Sequence, residues 1–160
     1  MNREEELIHN FYTAFQRGDY RTMQRCYADE AVFNDAVFTN LQAAEVRAMW
    51  QMLLESSSDL QMRFSGIEAS ENEGSATWIA NYTFSKTGRK VENRIQAHFK
   101  FSNGKISEHT DHFSFSRWAR QSLGPIGWIL GKTSFLRNKV RREARRKLDA
   151  YLRKKSTNES

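Results

Sequence analysis

Hydrophobic positions recur with two different periods along this chain. Up to about residue 56 the spacing is largely helical. Leu7, Phe11, Ala14 and Phe15 share one face of a helix predicted over residues 3–17, and Gly18 supplies its stop. Asp19 can cap a second, short helix that carries Met23 and Tyr27 inward. Residues 31–38 alternate instead, with Phe33, Asp35 and Val37 on one side, which predicts a strand. Thr39 and Gln42 make a capping-box pair for a third helix. Its buried stripe is Val46, Met49, Trp50 and Leu53, and Ser56-Ser57-Ser58 ends it.

From there the period becomes two. Leu60, Met62 and Phe64 alternate, then Trp78, Ala80, Tyr82 and Phe84, then Val91, Asn93, Ile95, Ala97, Phe99 and Phe101. A last strand over 105–116 puts His109, Asp111, Phe113 and Phe115 on one side. Helices followed by an antiparallel meander predict an α+β domain over residues 1–117, with the helices covering one face of a curved sheet.

Register decides which polar groups face that cover. The turn at Asn103-Gly104 can be a two-residue hairpin, or a three-residue loop with Gly104 in a bulge. The two differ by one residue, which flips one strand against its partner. The first puts Glu108, Thr110 and His112 with the apolar set; the second puts His109, Asp111, Phe113 and Phe115 there. Burying two phenylalanines at ~1.5–3 kcal/mol each favours the second. Ala97 is then expected opposite His109, Ile95 opposite Asp111 and Asn93 opposite Phe113. An even-length loop around Thr87-Gly88 places Trp78, Ala80, Tyr82 and Phe84 on the same face.

The inner wall is thus apolar except for Asp35, Asn93, His109 and Asp111. Ionised carboxylates on such a wall are costly unless paired. Two in one chamber, beside a histidine, push their pKa values apart, a situation from which acid–base chemistry is built. The candidate catalytic residues are Asp111, Asp35 and His109, with Tyr12, Trp50, Trp78, Tyr82, Asn93 and Phe113 lining the pocket. The plainer alternative is that His109 and Asp111 satisfy each other or buried backbone as structural groups. His109, Asp35 and Asp111 could in principle ligate a metal, but no metal and no cofactor is expected. The chain contains no glycine-rich phosphate loop, nucleophile elbow or His-Glu-x-x-His helix.

After Ser116 the pattern changes again. Residues 118–131, which include the only proline, form an apolar stretch too short and glycine-interrupted to span a bilayer. It is expected as a strap packed on the domain or a dimer mate, or alternatively as a lid over the pocket mouth. Residues 134–155 then predict a helix with Leu136, Val140, Ala144, Leu148 and Leu152 in a narrow stripe. The extension is therefore assigned as residues 118–160.

Charge sharpens this division. The net charge is +6, yet eleven of the 25 Lys and Arg lie between Lys132 and Lys155, against Glu143 and Asp149 alone. The remaining residues carry 14 basic and 17 acidic side chains. Contact with nucleic acid or an anionic membrane must therefore rest on the tail, whose basic run reads first as a solvated face. Cys26 is the only cysteine, so no internal disulfide forms, and the charged start Met1-Asn2-Arg3-Glu4 is unlike a signal peptide. A reducing cytoplasm is the simplest compartment.

The order of elements, with Tyr27-Ala28-Asp29-Glu30-Ala31, Asn34-Asp35-Ala36-Val37-Phe38, Gly104-Lys105-Ile106, Glu108-His109 and Asp111, resembles the nuclear transport factor 2-like superfamily over residues 3–117. Within it the chain is most similar to SnoaL-like and ketosteroid-isomerase-like members. The resemblance implies a cone-shaped, mostly antiparallel sheet on three N-terminal helices, a deep pocket for a small hydrophobic molecule, and a homodimer formed through the outer surface of the sheet. Asp35 matches the isomerases' proton-shuttling aspartate. Their oxyanion hole, a tyrosine and a protonated aspartate, falls on Phe11 and Ala97, neither of which donates a hydrogen bond from its side chain. Tyr12 points about 100° away on the helix, so classical ketosteroid isomerisation is not expected. Asp111 matches the acid–base aspartate of SnoaL-like polyketide cyclases. The epoxide-hydrolase members use an Asp–Arg–Asp set, to which Asp35, Tyr82 and Asn93 could contribute, but Arg94 is expected to face outward. Isomerisation, aldol-type cyclisation or addition of water is the implied chemistry, and a non-catalytic binding or dimerisation module is the alternative.

Overall fold

The computed structural model describes residues 1–159. Helix α1 (Arg3–Gln16) starts at Asn2, whose side chain accepts from the Glu5 N–H, and α2 (Tyr20–Arg25) starts at Asp19, which accepts from Thr22. Strand β1 (Tyr27–Asn34) begins earlier than its alternation suggested, so Tyr27 is a strand residue rather than a helical one. A two-residue strand β2 (Leu41–Gln42) precedes α3 (Ala43–Ser56). Because β2 occupies that stretch, the cap of α3 falls on Gln42 and Glu45 instead of Thr39 and Gln42: the Glu45 carboxylate accepts the Gln42 N–H at 2.9 Å. Strands β3 (Gln61–Ala69), β4 (Glu73–Phe84), β5 (Arg89–Ser102) and β6 (Lys105–His112) follow. The chain ends in α4 (Phe115–Leu123), α5 (Pro125–Leu130) and α6 (Ser134–Glu159).

The sheet order is β2-β1-β6-β5-β4-β3. Every pairing is antiparallel except β1 with β6, which is parallel. Burial along β5 alternates strictly. Val91, Asn93, Ile95, Ala97 and Phe99 face the helices, while Glu92, Arg94, Gln96, His98 and Lys100 face outward. Trp78, Ala80 and Tyr82 pair with Ile95, Asn93 and Val91, which puts them on the inner wall as the even-length loop requires.

The β5–β6 hairpin combines features of both sequence alternatives. Its turn is the two-residue Asn103-Gly104, both with positive φ (51° and 77°) and Ser102 paired with Lys105, the backbone demanded by a tight hairpin turn. Such a turn alone would bury Glu108 and Thr110. The chain restores the other face by a bulge: Phe101 pairs with Ile106 but Lys100 with Glu108, so Ser107 is the extra residue. The bulge lies within the strand, not at Gly104. The expected face is therefore correct and the expected partners are not: His109 lies opposite Phe99, and Asp111 opposite Ala97.

β6 also ends sooner than the alternation implied. It stops at His112, and Phe115 opens α4 instead of continuing the strand. Beyond that point α4 replaces the strand along β5, where the Gln121 side-chain oxygen accepts the Glu92 N–H at 2.7 Å. The apolar stretch is thus helical. Phe115, Trp118, Ala119, Leu136 and Val91 make a second small core, and Tyr82 and Phe113 pack against both this core and the main one. Helix α6 lies against α3, burying Leu148 in the main core. Tyr151 donates to Glu55 at 2.9 Å, Lys155 to Gln51 at 2.8 Å, and Arg145 pairs with Glu45.

Candidate functional site

The main core is dense in rings, and a single hydrogen-bonded chain of polar groups runs through it. Trp50 Nε1 on α3 donates to Tyr27 Oη on β1 at 2.9 Å. Tyr27 Oη lies 2.7 Å from His109 Nδ1 on β6. His109 Nε2 lies 2.9 Å from Asp111 Oδ1, and Trp78 Nε1 on β4 makes a longer contact of 3.5 Å with the same oxygen. A neutral His109 satisfies every group in one arrangement: the Trp50 indole donates to Tyr27, Tyr27 donates to Nδ1, and the Nε2–H donates to Asp111. Burial holds the Tyr27 hydroxyl well above the ordinary tyrosine pKa, with the Trp50 bond acting against it and Asp111 adding to the rise. It is therefore a neutral donor.

This chain of contacts joins four elements that are far apart in sequence. β1 and β6 meet in parallel with Phe33 opposite His109, whose rings stand edge-on at 5.0 Å. Phe99 faces the same imidazole at 4.4 Å, and Phe11 at 5.8 Å. An imidazole wedged among five rings, those of Phe11, Tyr27, Phe33, Trp50 and Phe99, keeps one orientation, which in turn aims Nε2 at Asp111. His109 and Asp111 are both buried.

Two polar groups nearby are not used in this way. Tyr12 is buried and stacks between Phe64 and Trp78, yet its hydroxyl has no hydrogen-bond partner. Burial raises its pKa well above the ordinary value, and Asp111 is close enough to add to the rise. Asn93, almost fully buried, forms no side-chain hydrogen bond among the described residues. Both hydrogen bonds to Asp111 fall on Oδ1, so Oδ2 is left without one.

Asp35 departs from its expected place. It lies one residue past the end of β1, in the turn toward β2, and its Oδ1 accepts the backbone N–H groups of Val37 at 2.7 Å and Phe38 at 2.6 Å. That is the work of a turn-forming aspartate. No hydrogen bond joins it to Asp111 or His109, so the two carboxylates do not form a shared-proton pair. Burial nevertheless pushes the Asp35 carboxyl up to about 6, against the two backbone bonds that lower it, with Asp111 raising it slightly further.

Among the other expected pocket residues, Trp50 and Trp78 belong to the polar chain. Tyr82 accepts from Trp118 Nε1 of α4 at 2.8 Å and, with Phe113, marks the seam between the two cores. Arg94 is exposed, as expected. No group of three His, Cys, Asp or Glu among the described residues is placed to hold a metal ion. Tyr27 is the residue that sequence reasoning missed. Helical spacing makes it an inward position of the second helix, and only its place in the Tyr27-Ala28-Asp29-Glu30-Ala31 segment sets it apart.

Where an open pocket was expected, the interior is closed. Tyr12, His109 and Asp111 are no more than 3% exposed, and α4 packs on β5 with Tyr82 and Phe113 against the same small core. Thr87 Oγ1 donates to Ser122 O at 2.5 Å and Arg89 Nε to Gln121 O at 2.8 Å, which pin α4 in place.

Comparison with known proteins bears on this geometry. The family model described as a SnoaL-like domain matches residues 8–109. Similar solved structures include a polyketide cyclase candidate from Xanthomonas campestris, 20% identical over 74% of this chain and 96% of that one, with a TM-score of 0.65. An NTF2-like protein of unknown function from Burkholderia pseudomallei is 16% identical over 76% and 98%, with a TM-score of 0.66. An LEH-like epoxide hydrolase from M. tuberculosis is 14% identical over 80% and 93%, with a TM-score of 0.63. At these identities the likeness is one of fold. No curated protein sequence matches.

Proposed function

This chain belongs to the SnoaL-like family and has the nuclear transport factor 2-like fold, and from that premise we propose that it is a cofactor-free acid–base catalyst, a cyclase or isomerase of a small apolar carbonyl compound. One observation carries the reading: Tyr12 Oη, with no partner, and Asp111, with both its hydrogen bonds on Oδ1, sit in the same apolar interior. Buried polar groups are ordinarily paired, and an unpaired one calls for a reason. A bound carbonyl compound supplies it.

In this mechanism a C–H bond α to the carbonyl breaks and its proton passes to Asp111 Oδ2. The electron pair moves onto the carbonyl oxygen, which Tyr12 O–H stabilises by a hydrogen bond. Asp111 then returns the proton to another carbon, or the enolate carbon attacks a second carbonyl in an aldol-type closure and the resulting alkoxide takes the proton back from Asp111. His109 is a positioning residue: fixed by Tyr27, it holds Oδ1 and leaves Oδ2 to the substrate. Asn93, Tyr82 and Phe113 line the approach beneath α4. Asp35 is given no proton-transfer role, since its Oδ1 holds the turn beyond β1 and no hydrogen bond joins it to the Tyr27–His109–Asp111 chain. Exposed Arg94 argues against the Asp–Arg–Asp arrangement of epoxide hydrolysis.

The test is deuterium exchange at the α-carbon of a panel of enolisable cyclic ketones and β-polyketones, followed by NMR. Asp111→Asn keeps an acceptor for His109 and the fold, and exchange should stop. Exchange undiminished in that variant removes Asp111 from the chemistry.

A second reading rests on the closed interior. In it the Trp50–Tyr27–His109–Asp111 chain ties β1 and α3 to β6, and the domain binds or pairs without catalysis. It predicts no exchange with any ketone of the panel, and a loss of stability in Asp111→Asn as large as that in Tyr27→Phe.

A further inference from the structure

The large apolar side chains that the described chain leaves in solvent are Met1 and a cluster in one segment: Ile126 is 58% exposed, Trp128 70%, Ile129 78% and Phe135 66%. Their exposure is built in. Gly127 lies so close to α4 that a Cβ there would stand 1.9 Å from the Ala119 carbonyl oxygen. This glycine contact seats α5 on its buried side and turns Ile126, Trp128 and Ile129 outward. Arg120 lies over the Trp128 ring at 4.9 Å, a cation–π contact that holds the indole on the surface.

The charge beside this apolar tip is of one sign. Phe135 begins a stripe on α6 that continues through Lys139, Arg142, Arg146 and Arg153, at helical spacing and all exposed. None of these four basic residues forms an ion pair among the described residues. Glu143 pairs with Lys86 at 2.9 Å, with Lys139 and Arg146 also acting on its carboxyl, and Asp149 pairs with Arg145 of the same helix at 3.1 Å. Lys132, between α5 and α6, is exposed as well. The opposite side of α6 is spent on the domain through Leu136 and Leu148.

We propose that α5 and the outer face of α6 form a docking surface for an anionic lipid bilayer, with Ile126, Trp128, Ile129 and Phe135 entering the headgroup–acyl boundary and Lys132, Lys139, Arg142, Arg146 and Arg153 lying over the headgroups. The combination of aliphatic and aromatic side chains rimmed by an excess of lysine and arginine is that of interfacial attachment. No helix among the described residues is long and apolar enough to cross a membrane, so the contact is peripheral. Nucleic acid would use the charges but has no use for the two protruding isoleucines, Ile126 and Ile129. This surface is independent of the Asp111 site.

The full-length protein is tested with vesicles of phosphatidylcholine alone and with one-third phosphatidylglycerol, by co-sedimentation and by tryptophan emission. Trp50, Trp78 and Trp118 are buried, so a blue shift on binding reports Trp128. Binding to the anionic vesicles only, weakening with salt, is expected. The triple substitution K139E/R142E/R146E should weaken it at least 100-fold. I126S/I129S, which keeps the Trp128 reporter, should weaken it at least tenfold and abolish the blue shift. All five positions are exposed, so the melting temperature should not move. Absence of binding at low salt overturns the proposal. So does binding unaffected by I126S/I129S, tighter binding to a DNA duplex than to vesicles, or a dimer that I126S/I129S converts to monomer.

Discussion

Tyr27 Oη donates to His109 Nδ1 at 2.7 Å, and through that bond a residue of β1 chooses which nitrogen of the β6 histidine faces Asp111. Tyr27→Phe removes the proton from His109 and the acceptor from Trp50 Nε1 while leaving the ring in place. Two buried groups then lack partners, and a loss of roughly 2–4 kcal/mol is expected in urea unfolding. The His109 tautomer should also become mixed, which nitrogen chemical shifts report.

Tyr12 tests the opposite case. Its hydroxyl is buried and unpaired, so Tyr12→Phe takes away a desolvated polar group and leaves the packing intact. Stability should rise by about 1 kcal/mol. Catalysed α-carbon exchange should fall in the same variant, since the donor to the carbonyl oxygen is gone. A stabilised protein with weakened chemistry marks Tyr12 as functional; a destabilised one shows that the hydroxyl has a partner in solution.

Asp35 carries a pH dependence whose sign follows from its raised carboxyl. The folded protein holds the proton up to about pH 6, while the unfolded chain releases it near the ordinary value of 3.8. Between those values the folded state binds more protons, so stability falls as pH rises from about 4 to about 6 and then levels off. Asp35→Asn retains a side-chain oxygen for the Val37 and Phe38 N–H groups and has no charge to bury. It should be more stable than the wild type above pH 6, by on the order of 1 kcal/mol, and lose this slope. Thermal melts from pH 4 to 8 measure both. Equal slopes in the two proteins would place the titration on another group.

Gly127→Ala probes the seat of α5. The added methyl meets the Ala119 carbonyl oxygen, backbone that cannot swing aside, and α5 must lift from α4. A cost of about 1–3 kcal/mol is expected, together with faster proteolysis between Leu123 and Thr133. Resistance equal to the wild type would mean that α5 is not held by this contact.

Alternation by itself determined the faces of the sheet. Trp78, Ala80 and Tyr82, Val91 through Phe99, and the pair His109 and Asp111 lie inward because a two-residue period is a local property that water reads directly. Helices α1, α2, α3 and α6, the stop at Gly18, the basic tail and the likeness of residues 3–117 to the SnoaL-like fold were legible in the same way. What depends on distant partners was not. Ser107 bulges because the turn at Asn103-Gly104 and the burial of His109 opposite Phe99 must both be satisfied, and only the paired strands pose that conflict. Asp35 alternates in phase with Phe33, but the chain turns before reaching it and the turn takes its carboxylate. Tyr27 lies 82 residues from His109, so no pattern along the chain could join them; the parallel meeting of β1 and β6 did. The strand through Phe115 ended early because α4 buries Phe115 and Trp118 in a second core against Val91 of β5.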